Sequence, residues 1–175
     1  MGVLLSLLLA VTPILSNPRV VVWEAAPGMT ARDHDAVVVE MDTASAHFVP
    51  KGAPLKAQGR AIVIELLGLP VGSLPNTTGL PEAFDRPGIE KLLDNDELTV
   101  WRYEWQPHKR TPMHFHSKDV VVTFLADGVL ASITPDGKTV LNPHHFGLTK
   151  FSPRARVHQE ELLEGAARAV MVELK

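Results

Sequence analysis

The chain has 175 residues, a length that suits one domain, or a domain with a small appendage, and excludes a large multidomain enzyme. With 45% hydrophobic and 21% charged residues it is globular in composition, and 17 Lys+Arg against 20 Asp+Glu leave a net charge of −3, which argues against an electrostatic nucleic-acid binder. Zero cysteines exclude disulfides, thiolate metal sites and thiol nucleophiles, so any metal site must use His, Asp or Glu.

Residues 1–16 carry no charged side chain, and the apolar run from Val3 to Val11 has about the length of a secretory h-region. It is too short to span a bilayer. The expectation is a signal peptide over 1–16, cleaved near Ser16–Asn17, and a periplasmic or secreted protein with no stable membrane anchor. A buried N-terminal helix in a cytoplasmic protein is the alternative.

Beyond this segment the chain reads as short strands rich in Val, Ile, Leu and aromatic residues: 19–23, 36–41, 61–67, 98–105, 120–125, 129–134 and 169–174. Asp127-Gly128 and Pro135-Asp136-Gly137 supply turn chemistry between consecutive runs. The fold class is all-β, an antiparallel sandwich or barrel. A linker over 68–94, rich in Pro, Gly and Thr at its start, contains the one helical stretch, Pro87 to Leu93, and divides a unit over 17–67 from a unit over 95–175. The two units echo each other in order. Asn17–Trp23 matches Asn95–Trp101, Asp35–Val39 matches Asp119–Thr123, and Arg60–Leu66 matches Arg168–Leu174. The first copy has no counterpart of His114, His116 or His158, so the chemistry belongs to the second.

Six of the eight histidines (His108, His114, His116, His144, His145 and His158) fall between residues 108 and 158. On a strand, His114-Phe115-His116 directs both imidazoles to one face, from which two neutral rings can reach one cation. An exposed polar strand face has the same pattern. Arg154, Arg156 and His158 also alternate, so Arg156 is expected beside His158 as a contact for a carboxylate or phosphate, or else in a surface ion pair with Glu160, Glu161 or Glu164. Trp101, Tyr103 and Trp105 form an aromatic stripe suited to a core or a subunit interface. His144-His145, following Asn142-Pro143, is expected in a loop as exposed polar residues, and His108 as a turn residue.

The segments from Pro107 to Gly128 and from Gly147 to His158 resemble the two signature motifs of the cupin superfamily. In the first, His108 stands at the leading Gly position, His114 and His116 match, Val121 stands at the Glu position and Gly128 matches. In the second, Gly147, Pro153 and His158 match in register, whereas Ala155 replaces Gly and Leu162 replaces Asn. The resemblance implies a double-stranded β-barrel of jelly-roll type over 95–175, with 17–67 as a degenerate cupin-like unit. It also implies a divalent transition metal (Fe, Mn, Ni, Cu or Zn) on His114, His116 and His158. The family's usual carboxylate ligand is missing at Val121, and Asp119 is the candidate fourth ligand if the chain bends at Ser117-Lys118. A metal-dependent, dioxygenase-like oxidoreductase acting on a small organic molecule is one expectation, and a non-enzymatic periplasmic ligand- or metal-binding protein is the other. Homodimerisation through the edges of Val-rich sheets is expected in either case.

Overall fold

A computed structural model describes residues 12–26, 29, 33–68 and 70–175. The described residues contain no helix and form three sheets in which all strand pairs are antiparallel. In chain order the strands are β1 (Leu15–Ser16), β2 (Val20–Glu24), β3 (Ala36–Glu40), β4 (Ser45–Val49), β5 (Ala61–Leu66), β6 (Glu90–Asp94), β7 (Leu98–Trp105), β8 (His114–His116), β9 (Asp119–Phe124), β10 (Gly128–Ile133), β11 (Thr139–His144), β12 (Thr149–Ser152), β13 (Arg156–Gly165) and β14 (Ala167–Leu174). Each of the seven apolar runs read from the sequence is a strand, because β-branched residues fit a pleated surface packed on its neighbours.

The sheets stack in three layers. An N-terminal sheet runs β1-β2-β5-β3-β4, a central sheet β6-β7-β14-β9-β12, and an outer sheet β11-β10-β13-β8. Successive residues of the central strands face opposite ways. Leu98, Val100, Val121, Val170, Val172 and Leu174 pack on Val20, Val22, Val37, Val39 and Ile64 of the N-terminal sheet. Val120, Phe124, Ala169 and Met171 pack on Leu130 and Leu162 of the outer sheet. The central and outer sheets face each other without closing into a continuous barrel.

The sequence echo is also a structural one. Strands β2, β5 and β3 occupy the same order as β7, β14 and β9, and their registers agree: Trp23 pairs Val63 as Trp101 pairs Met171, and Val38 pairs Val63 as Val122 pairs Met171. Asn17 accepts the amides of Arg19 and Val20, as Asn95 accepts those of Glu97 and Leu98. Trp23 Nε1 donates to Glu65 at 3.4 Å, and Trp101 Nε1 donates to Glu173 at 3.2 Å. The two copies pack face to face. Arg19 reaches across to Asp119 at 2.8 Å, while the equivalent positions in the other direction hold two acids, Glu97 and Asp35.

The expected helix over Pro87 to Leu93 is corrected to a turn at Pro87-Gly88 and a strand from Glu90. Seven residues are too few to sustain a helix by propensity alone, and the unpaired edge of β7 offers Glu90–Asp94 a hydrogen-bonded ladder. Leu92 and Leu93 pack against the core there. Of the expected leader over 1–16, residues 1–11 lie outside the described ones. Leu15 and Ser16 pair with Val22 and Val21.

The Glu97 carboxyl is pushed up by burial and by the adjacent Asp35 carboxylate. A carboxyl with a raised folded-state pKa binds its proton more tightly in the folded chain, so stability is lost as pH rises through that range. Glu97→Gln is expected to flatten this fall and to raise stability by up to about 1 kcal/mol at neutral pH, read from denaturant midpoints in acid and at neutrality.

Candidate functional site

The short strand β8 carries both motif histidines, and its alternation turns Phe115 to the opposite face. The edge of β8 away from β13 is paired by the preceding segment: Phe115 N donates to Pro81 O at 3.0 Å and Ala83 N donates to Phe115 O at 2.9 Å. Strand β13 runs antiparallel to β8 in a register that sets His158 opposite His114 and Arg156 opposite His116. This brings His114, His116 and His158 together, all buried, with ring centroids 4.8 to 5.0 Å apart.

Their Nε2 atoms converge. His116 Nε2 lies 3.2 Å from that of His114 and 3.1 Å from that of His158. His114 Nδ1 donates to Pro112 O at 2.8 Å, which leaves the His114 Nε2 lone pair facing inward. His158 Nδ1 lies 3.1 Å from Ser132 Oγ, and His116 Nδ1 is buried without a partner. Burial is the largest cause holding all three imidazoles below their ordinary pKa, that of His158 at about 4, and the Arg156 and Arg86 charges act in the same direction. Three neutral rings have too few protons in these positions to satisfy both Nε2 contacts. A divalent cation shared by the three lone pairs satisfies them, and the nitrogen donor set suits a first-row transition metal. Among the described residues these three form the one cluster with metal-ligand spacing.

His116 and His158 border a cavity of about 460 Å³ between the central and outer sheets. Val120, Val122, Phe124, Leu130 and Met171 make its walls apolar, and Arg86, Lys150, Arg156 and Glu160 bring charge to it. Arg156 thus lines the cavity with His158, and its Nε donates to Pro153 O at 2.6 Å. Burial holds the Arg156 pKa below the ordinary guanidinium value.

Arg86 and Glu160 are site residues the sequence reading missed. Glu160 continues the alternation of Arg156 and His158 along β13, a signal that was available. Arg86 lies in the linker and has no local signature. Its side chain is 4% exposed and lies 4.3 Å over the Tyr103 ring. Arg86 Nη1 is 3.4 Å from Glu160 Oε2, which also accepts Trp105 Nε1 at 3.0 Å.

Asp119 does not join the histidines. Strand β9 stays in register with β14 through Asp119, with no inward bend, and the carboxylate is engaged by Arg19 Nη1 and by the Arg154 amide at 2.8 Å each. Val121 packs on the N-terminal sheet. The loop expectation for His144 is corrected as well. It ends β11, is buried, lies 3.0 Å from Ala166 O through Nε2 and stacks on Phe124 at 4.3 Å. His145 is exposed. Both residues standing at motif glycine positions, His108 and Ala155, have left-handed backbones, with φ of 55° and 67°. At Gly128 a Cβ would lie 2.5 Å from Ala166 O, so only glycine fits.

No protein-family description matches the chain, and no curated protein matches it. Solved structures do. A cupin 2 conserved barrel domain protein from Leptotrichia buccalis aligns over 95% of this chain and 88% of its own, at a TM-score of 0.52 and 14% identity. A cupin domain from Bordetella pertussis Tohama I is 28% identical over 51% of this chain and 96% of its own, at a TM-score of 0.46. A polyketide cyclase from Streptomyces resistomycificus is 23% identical over 59% of this chain and 79% of its own, at a TM-score of 0.42. The layered antiparallel sheets, aligned over nearly the whole length, have the fold of the cupin superfamily.

Proposed function

We propose that the protein is a metal-dependent enzyme, an oxidoreductase of dioxygenase-like type, acting on a small organic molecule held in the cavity beside His114, His116 and His158. The observation that carries this reading is the convergence of three neutral Nε2 atoms at the wall of an apolar cavity, which hydrogen bonding among the rings leaves unsatisfied. The three histidines would hold Fe, Mn, Ni, Cu or Zn, and such an ion supplies a Lewis-acid or redox centre with open coordination positions. Around it, Pro112 O holds the His114 tautomer, Ser132 orients the His158 ring, and the apolar walls exclude water from the bound molecule.

The absence of a carboxylate among the clustered groups favours a second reading, a non-enzymatic metal- or ligand-binding protein. In both readings we propose an exported, mature chain cleaved near Ser16–Asn17, a cut that removes edge strand β1 and leaves β2 at the edge of the N-terminal sheet. Homodimerisation fits the open edge of strand β11, where Leu141 is 60% exposed.

Metal content of the purified chain tests the reading. Near-stoichiometric Fe, Mn, Ni or Cu is expected, and a metal-free chain that takes up none on reconstitution would overturn it. Each of His114→Ala, His116→Ala and His158→Ala is expected to lose most of the metal, whereas His145→Ala keeps it. His144 is no control, because its ring packs on Phe124. Ser132→Ala is expected to weaken metal affinity by about tenfold or more, measured by competition with a chelator, because it frees the His158 ring. A triple histidine variant that binds metal like the parent would remove the site assignment.

A further inference from the structure

Three cationic side chains, Arg86, Lys150 and Arg156, face the cavity together with a single carboxylate, Glu160. Arg86 and Glu160 pair with each other. Lys150 and Arg156 pair with no carboxylate among the described residues. The two acids whose charges act on Arg156 are engaged elsewhere, Asp119 by Arg19 and the Arg154 amide, and Glu160 by Arg86 and Trp105. Arg156 donates from Nε to Pro153 O and leaves its terminal nitrogens for another acceptor. Lys150 stands on β12 of the central sheet and Arg156 opens β13 of the outer sheet, so the two cations reach the cavity from both of its walls. Part-buried cations without counter-charge are costly unless an anion completes them. Arg86 adds a buried Nε with no acceptor.

We propose that the cavity binds a small organic acid, with its anionic group held by Arg156 and Lys150 and its apolar body lying along Val120, Val122 and Phe124, beside the three histidines. The inference rests on the cavity being the ligand site of the proposed function, and it does not require metal to be bound. A carboxylate and a phosphate monoester present the same anionic oxygens to these cations. A cavity of about 460 Å³ accommodates an acid with an aromatic ring or a medium alkyl chain.

Calorimetric titration of the full chain, metal-free and zinc-loaded, tests this with phenylpropionate, octanoate and phenyl phosphate as probes and with the neutral amides of the two carboxylates as controls. At least one anion is expected to bind about tenfold or more tightly than an uncharged counterpart, and the carboxylate and phosphate arms identify the preferred group. Arg156→Gln is expected to reduce that affinity by about tenfold or more, Arg156→Lys to restore part of it, and Lys150→Gln to weaken it independently, with metal content kept and no fall in the thermal midpoint of the ligand-free chain. Amides that bind as tightly as the acids, variants that bind like the parent, or no binding by any anion would each overturn the inference. Charge-selective binding through Arg156 in a chain that takes up no metal would leave this inference standing and remove the metal reading. A metal-loaded chain indifferent to ligand charge would do the reverse.

Discussion

Strands β9 and β14 of the central sheet are buried on both faces, and the rest of the molecule depends on that constraint. One face of β9 and β14 is covered by the N-terminal sheet and the other by the outer sheet. Both parities of these strands are therefore apolar, and Val120–Leu125 and Ala169–Leu174 read as nearly continuous hydrophobic runs. The N-terminal copy is thus a structural partner. It has the strand order and register of the central sheet and covers the face that its counterpart would otherwise leave to water.

Two-sided burial also decides what the site can contain. On β9 the residues facing the histidines are Val120, Val122 and Phe124, while Asp119 and Val121 face the other copy. A one-residue slip in β9 would exchange these sets, and the cores on both sides oppose it. Charge enters the cavity from β12, from β13 and from the linker instead. Along β13 the alternation sets Arg156, His158 and Glu160 on one side, so the cation, the imidazole and the carboxylate lie in one row.

The pseudo-symmetric contact between the copies is itself asymmetric in charge. Arg19 and Asp119 attract across the interface, whereas Glu97 and Asp35 occupy the equivalent places and repel. The Arg19 bond accounts for Asp119 without recourse to a metal: a part-buried carboxylate already holding a guanidinium and a backbone amide has little reason to turn inward. His108 and Ala155, which stand where the resembling motifs carry glycine, both have left-handed backbones, a conformation that glycine adopts most easily.

Local pattern alone was enough for the all-β class, seven of the fourteen described strands, the internal echo and the three histidines, because alternation, turn residues and His-x-His spacing act through the two-residue period of a strand. It did not determine the strand at Glu90–Asp94, whose conformation comes from the open edge of β7 and not from its own propensity. It did not determine the burial of His144, which depends on Phe124 and on the carbonyl of Ala166. Nor did it place Arg86 at the cavity or take Asp119 away from it. Both outcomes depend on contacts made across large sequence separations, Arg86 with Glu160 and Asp119 with Arg19, and only the packed layers bring those partners together.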